Sequence, residues 1–115
     1  MVERTDAKVA AVWVDGERVC FAINRGSTDG VRTGHLYGLK LRDVTDPETG
    51  EVLGRIAENT AWVAEAKKSM AVCLLERVSP RNFDAEMAGL VVGAVVHPIR
   101  SGDIIQTADG AAFAR

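Results

Sequence analysis

The chain has 115 residues, 47% hydrophobic and 26% charged, which is enough for one apolar core and far from the composition of a disordered protein. Its 14 lysines and arginines against 16 aspartates and glutamates give a net charge of −2, so no overall positive field marks it as a nucleic-acid binder. None of its apolar runs reaches the roughly 20 residues that cross a bilayer, so we expect no membrane span.

The first predicted elements are two strands, at 8–14 and 18–23, joined through Asp15-Gly16. An Asp-Gly pair between two β-rich runs indicates a hairpin, because a type I′ turn needs positive φ at both central positions. In the second run Val19, Phe21 and Ile23 alternate with other residues. That alternation predicts a strand with one face against the core.

A glycine-rich connection follows at 24–34. Gly26, Gly30 and Gly34 stand four residues apart, which indicates positions that need positive φ or a close approach of another backbone. Ser27 is placed to cap a single helical turn. Consecutive amides in such a loop can form an anion nest, but the spacing fits no phosphate-binding motif, and we interpret the loop as tight turn geometry.

The rest of the chain continues as short elements. Residues 46–50 form a predicted turn in which Pro47 presets φ and Gly50 takes the left-handed exit. A short helix is predicted after the cap Ser79, with Pro80 at its first position. The remaining predicted elements are strands at 35–44, 52–57, 61–66, 70–78, 91–99 and 104–107, and the helix at 80–88.

Short strands about ten residues apart, with turns between them, predict a mainly β fold, either an antiparallel barrel or a sandwich. We expect a small antiparallel β-barrel, SH3-like or OB-like, of five to seven strands with one short helix. The barrel domain is predicted over residues 8–107, between an N-terminal tail at 1–7 and a frayed C-terminal tail at 108–115.

Two motifs resemble a pattern of small bacterial β-barrel domains, typified by the C-terminal domain of flagellar assembly protein T. One motif runs from Ile23 to Gly34 and the other from Asp46 to Gly54, with a closing stretch at 99–105. The motif positions are Asn24, Gly26, Ser27, Gly30, Gly34, Asp46, Pro47 and Gly50. The resemblance implies a non-enzymatic barrel that sits in larger assemblies, and it brings no catalytic residues with it.

This chain departs from that pattern in two places. His35 stands where the pattern often has an acidic or polar residue, and residues 79–98 are longer than the usual connection. Since a fold does not fix a function, only the barrel is carried over from the resemblance.

The residues that would support catalysis or metal binding are few. Cys20 and Cys73 lie in apolar segments, which favours buried free thiols over a disulfide, and neither histidine has a triad spacing. The acidic residues near Asp46 do not fit a calcium loop. We therefore predict no enzyme activity, no catalytic residue, no metal and no cofactor.

The apolar runs 9–14 and 90–96 carry apolar side chains at both alternating sets of positions, more than one barrel face buries. We therefore predict a protein partner or a homo-oligomer, unless the helix at 80–88 covers one of these strands. The predicted interface residues are Val9, Ala11, Trp13, Val91, Val92 and Val95.

Binding of single-stranded nucleic acid is the alternative function. Small barrels bind single strands by stacking bases on aromatic side chains within a basic groove. Arg25, Arg32, Lys40, Arg42 and Arg55 are the basic residues that would gather on one face. The aromatic residues in strands are few, Trp13, Phe21, Tyr37 and Trp62, and core packing explains them as well, so we do not favour this function.

The compartment is predicted from the N-terminal segment and the cysteines. Residues 1–8 mix acidic and basic side chains and lack the apolar stretch of a secretory signal. Two isolated cysteines suit a reducing compartment. We expect the cytoplasm, with an extracytoplasmic protein that has lost its signal as the alternative.

Overall fold

A computed structural model of the chain describes residues 5–75, 81, 84, 90–107 and 110–113. These residues are mainly β, and their helical structure is limited to 3-10 geometry, chiefly the turn at Ser27–Asp29. The strands are β1 Ala7–Asp15, β2 Arg18–Ile23, β3 Leu36–Gly38, β4 Leu41–Thr45, β5 Val52–Ala57, β6 Thr60–Ala66, β7 Ala71–Leu75, β8 Val95–Pro98, β9 Ile104–Thr107 and β10 Gly110–Phe113.

Six strands close into an antiparallel barrel in the order β1-β2-β7-β6-β3-β8, with β8 returning to β1. The predicted small antiparallel barrel is thereby confirmed. The barrel is closed by two residue pairs between β1 and β8, Ala7 with Val96 and Lys8 with Val95. These pairs join parts of the chain that lie far apart in sequence.

The other four strands form a second sheet in the order β10-β9-β5-β4. Its central pair, β5 and β9, is parallel, with Ile56 opposite Ile104. Gly38 lies where this sheet meets the barrel. A Cβ at this position would stand 2.9 Å from Leu41 Cδ1 and 3.0 Å from Ile99 Cδ1. A side chain at position 38 would force the Leu41 and Ile99 side chains to move aside.

The predicted first hairpin forms, with its loop one residue later than expected. Asp15 pairs with Arg18 inside the ladder, so Gly16 and Glu17 are the loop residues, and Gly16 takes a φ of 61°. A two-residue loop that needs a left-handed residue is what the Asp-Gly dipeptide indicated.

The predicted strand at 35–44 is two strands in two different sheets. β3 belongs to the barrel and β4 to the second sheet, and the chain bends between them at residues 39–40. The N–H of Leu39 donates to the Asn59 carbonyl, 2.8 Å away, across this bend. The apolar and polar side chains alternate through the bend, so the sequence pattern does not reveal it.

Three further expectations meet different outcomes. Residues 91–94 form a turn rather than a strand, because Gly93 has a φ of 91° and the Ala94 N–H bonds to the Val91 carbonyl. The expected frayed tail contains β10, which pairs with β9 from Gly110 to Phe113. The predicted helix at 80–88 lies outside the described residues, except for Arg81 and Asp84.

The barrel interior holds a continuous apolar core. Its largest fully buried side chains include Tyr37, Phe21 and Ile23, which come from β2 and β3. Val31 and Leu90 add to the core from outside the strands. Of the residues that the structure describes, none belongs to a helix long and apolar enough to cross a membrane.

Candidate interaction site

The glycine-rich loop at 24–34 packs against the turn between β6 and β7 and is hydrogen-bonded to it. The Ser27 N–H donates to the Lys67 carbonyl at 2.7 Å, and the Thr28 hydroxyl donates to the Lys68 carbonyl at 2.6 Å. A Cβ on Gly26 would overlap the Lys67 carbonyl and would lie 2.6 Å from Met70 N. The two backbones therefore touch at Gly26, where only glycine fits.

The N–H groups of residues 26–31 have acceptors within the protein. The Gly26 N–H donates to Asp29 Oδ2 at 2.9 Å, and the Asp29 and Val31 N–H groups donate to the Gly26 carbonyl. Gly30 and Gly34 supply the left-handed residues, with φ of 83° and 90°. An anion nest needs free N–H groups, so this geometry supports the interpretation of the loop as turn structure.

Asn24 and the turn at 46–50 also have structural roles. Asn24 Oδ1 accepts the Lys8 N–H at 2.8 Å and so continues the β1–β2 ladder through a side chain. In the turn, Asp46 Oδ1 accepts the Glu48 N–H at 2.8 Å, and the Gly50 N–H donates to the Asp46 carbonyl. Within the described part of the chain, no three His, Cys, Asp or Glu side chains form a group that could hold a metal ion.

The histidine imidazoles are held by local contacts. His35 Nδ1 accepts the Arg32 N–H at 3.0 Å, which closes the turn before β3. His97 Nδ1 lies 3.0 Å from Asp6 Oδ1 on the surface. Both contacts tie a turn or a chain segment in place.

Both cysteines are free and buried. Burial raises the pKa of the Cys73 thiol to about 12. Burial, followed by the nearby Asp15 carboxylate, also raises the pKa of Cys20. A nucleophilic cysteine needs a lowered pKa, so neither thiol has the environment of a catalytic group.

We expect neither thiol to react with Ellman's reagent at pH 8 while the protein is folded, and both to react once guanidinium unfolds it. The folded thiols stay neutral, whereas the unfolded ones ionise near 9.0. Since only the unfolded Cys73 ionises between pH 9 and its folded pKa of about 12, stability should fall as pH rises through that window. Rapid release of one equivalent from the folded protein would contradict this environment.

The outer edge of β1 loses its partner strand partway along. β1 pairs with β2 almost throughout, but with β8 only at Ala7 and Lys8. Val9 then bonds to the turn before β8. Its N–H donates to the Ala94 carbonyl at 2.9 Å, and the Gly93 N–H donates to the Val9 carbonyl at 2.7 Å. A β-bulge follows between Val9 and Ala11. From residue 10 onwards, no described residue pairs with this edge, and we call the outer side of residues 11–15 the free edge.

The free edge carries exposed apolar side chains. Val12, Trp13 and Val14 are 36%, 37% and 58% exposed. The turn that bonds to Val9 adds exposed Val91 and Val92, and Val95 is exposed beside Lys8. The structure thus places five of the six predicted interface residues on or next to one edge: Ala11, Trp13, Val91, Val92 and Val95. Val9 is the exception, because it is 2% exposed and belongs to the core.

Trp13 also begins an apolar row across the outside of the barrel. Trp13 pairs with Cys20 of β2. Cys20 pairs in turn with Leu74 of β7, and Leu74 pairs with Trp62 of β6. Residues opposite each other in a ladder share a face, and the neighbouring Phe21 in β2 is fully buried inside. Trp13 and Trp62 therefore lie on the outer surface.

A shallow pocket on the second sheet was not predicted from the sequence. It has a volume of about 160 Å³ and is lined by Val44, Leu53, Gly54, Arg55, Gly102 and Ile104. Gly54 leaves open space in which a Cβ would meet nothing within 4 Å. The pocket forms because β5 pairs in parallel with β9, and no local sequence motif predicts that pairing.

Arg55 joins the second sheet to the chain that leaves the barrel. Its Nε and Nη2 lie 3.1 Å and 2.5 Å from the two carboxylate oxygens of Asp103, and Nη2 also donates to the Pro98 carbonyl at 3.3 Å. Asp103 is nearly buried and accepts the Arg100 N–H at 2.8 Å. This bidentate pair fixes the path from β8 to β9.

Comparison with known proteins gives no matching family model, no matching curated protein and no matching solved structure. The resemblance to the flagellar assembly protein T domain therefore stays a prediction.

Proposed function

We propose that this chain is a non-enzymatic binding and assembly module that associates with a second copy of itself through the free edge. The observation that supports the proposal is the regular segment 11–15 of β1, whose outer edge pairs with no described residue. An open strand edge is a template on which another strand can pair, unless charge, proline or a covering segment blocks it. Residues 11–14 contain neither a charge nor a proline.

The exposed side chains support the same proposal. An apolar patch that includes an aromatic residue is typical of interaction surfaces, where burial of apolar area supplies the free energy of association. Trp13 in particular combines a large apolar surface with exposure. Such binding requires no cofactor and no metal. The two buried free thiols support our further proposal that the protein works in a reducing compartment, the cytoplasm.

We expect light scattering to give a mass that rises with concentration towards twice the 12.3 kDa chain mass. The substitution Val14→Lys should lower the mass to that of the monomer, because it puts a charge in the apolar edge. Val14 is 58% exposed, so the substitution leaves the barrel core intact.

Leu53→Lys is the matched control, since Leu53 is 63% exposed and lies on the second sheet. It introduces the same charge on a different surface and should leave association unchanged. A wild-type protein that stays monomeric at every concentration would rule out self-association. A partner of different sequence would then have to be sought by capture on wild-type and Val14→Lys protein in parallel.

Single-stranded nucleic acid is the second candidate ligand, because Trp13 and Trp62 lie on the outer face, where bases can stack. Two observations weigh against it. Phe21 and Tyr37 are buried in the core, and Arg55 is held by Asp103. Fluorescence anisotropy with labelled single-stranded DNA, at increasing salt, tests this candidate, because phosphate contacts weaken steeply with salt.

A further inference from the structure

We infer that two copies pair antiparallel along the free edge, with Trp13 opposite Trp13 of the second copy on the twofold axis. This inference rests on the proposed self-association and specifies its register. It follows from the hydrogen-bonding phase of β1, the limits of the free edge and the placement of charge.

The phase of β1 determines which residues can bond to a new strand. Asp15 and Arg18 flank a two-residue loop and form the closing hydrogen-bonded pair of the hairpin. Bonded and non-bonded pairs alternate along an antiparallel ladder. Trp13 therefore bonds to Cys20, whereas Val12 and Val14 direct their N–H and C=O groups away from β2. These two residues supply the outward donors and acceptors of the free edge.

The limits of the free edge determine its centre. On one side the bulge between Val9 and Ala11 interrupts the ladder, and the Val9 bonds to Gly93 and Ala94 occupy the edge. On the other side the strand ends at Asp15, before the left-handed Gly16. The regular segment 11–15 has Trp13 at its midpoint.

A closed dimer places the same surface of each copy on both sides of a twofold axis. For antiparallel strands, an axis perpendicular to the sheet passes between a residue and its own copy. With the axis at Trp13, Val12 of each copy faces Val14 of the other, so all outward groups of both residues are bonded. Trp13 then forms the central non-bonded pair, in which Cα atoms approach to about 4.5 Å.

Charge favours the antiparallel direction. The only charged residue of the segment is Asp15. In the Trp13-centred register it faces Ala11 of the second copy, whereas in-register parallel pairing would place the two Asp15 carboxylates side by side. Like charges directly opposite each other destabilise a ladder. The exposed indoles instead meet as an aromatic pair across the axis.

Disulfide trapping tests the register. Single cysteines are introduced by Ala11→Cys, Val12→Cys, Trp13→Cys and Val14→Cys, in a Cys20→Ala background, because Cys20 lies opposite position 13 in the same chain. Under mild oxidation we expect Trp13→Cys alone to give a covalent dimer. The same residue in two copies is about 8 Å apart or more at the other positions, beyond the reach of a disulfide.

A second measurement does not alter Trp13. Val12→Cys and Val14→Cys, oxidised as a mixture, should give the mixed dimer and little of either homodimer, because each residue faces the other across the axis. Efficient homodimers of Val12→Cys or of Ala11→Cys would overturn the register, as would the absence of any trapped dimer while light scattering still gives twice the chain mass. In those cases self-association stands, whereas a wild-type monomer at all concentrations rejects the proposed function itself.

Discussion

The substitution Gly26→Ala is expected to lower the free energy of unfolding by about 3–5 kcal/mol, a large part of the stability of a domain this size. The new Cβ would overlap the Lys67 carbonyl and crowd the Lys68 carbonyl and Met70 N, each 2.6 Å away. All three are backbone atoms, which cannot turn aside as a flexible side chain can. Either the β6–β7 turn separates from the loop, with loss of its hydrogen bonds, or the strands shift.

Two other glycines are matched controls for this steric cause. Gly34 has a φ of 90° but open space around its Cβ, so Gly34→Ala should cost only about 1–2 kcal/mol of backbone strain. Gly54 has open space and needs no left-handed conformation, so Gly54→Ala should change stability little. Urea unfolding followed by circular dichroism measures all three. A cost for Gly26→Ala no greater than that for Gly34→Ala would contradict the close approach.

The substitution Asp103→Ala is expected to cost about 2–4 kcal/mol of unfolding free energy, because it leaves a mostly buried guanidinium without its carboxylate. The Arg55 side chain is 24% exposed and that of Asp103 is 9% exposed. The Arg100 N–H loses its acceptor at the same time. Combining Asp103→Ala with Arg55→Met should cost less than Asp103→Ala alone, since methionine removes the stranded guanidinium while its apolar chain keeps the packing.

The ion pair of Arg42 with Glu58 is the control for this prediction. Its atoms are 3.5 Å apart and its side chains are 63% and 41% exposed, so Arg42→Met should cost less than about 0.5 kcal/mol. Chemical denaturation at moderate salt compares the two pairs. If the Asp103 and Arg42 variants lose the same amount of stability, then burial does not set the strength of the Arg55–Asp103 pair.

The parts of this fold that could be predicted from sequence are those set by local chemistry. The hairpin around Gly16 and the turn around Pro47 need particular φ values, and the glycines and proline at these places announce them. Gly26 was recognisable as special. Its reason, a contact with residues 67–70, depends on a turn forty residues away and has no local signature.

The second sheet could not be predicted for the same reason. Its parallel pairing of Ile56 with Ile104 is tertiary, and the strand pattern at 35–44 continues through the bend that separates the two sheets. The candidate interface was predictable as an excess of apolar residues. Which of them remain exposed depends on where β8 stops pairing with β1, a tertiary feature, and the predicted interface residue Val9 lies in the core instead.

The two residue pairs that close the barrel also determine how it forms and how it opens. Hairpins such as β1–β2 form early at little cost in chain entropy, whereas β8 reaches β1 only after most of the chain has been ordered. We therefore expect the seam between them to form late in folding and to open early in native-state fluctuations. Each such opening would lengthen the unpaired edge of β1 back to Ala7 and expose backbone donors and acceptors that β8 otherwise covers.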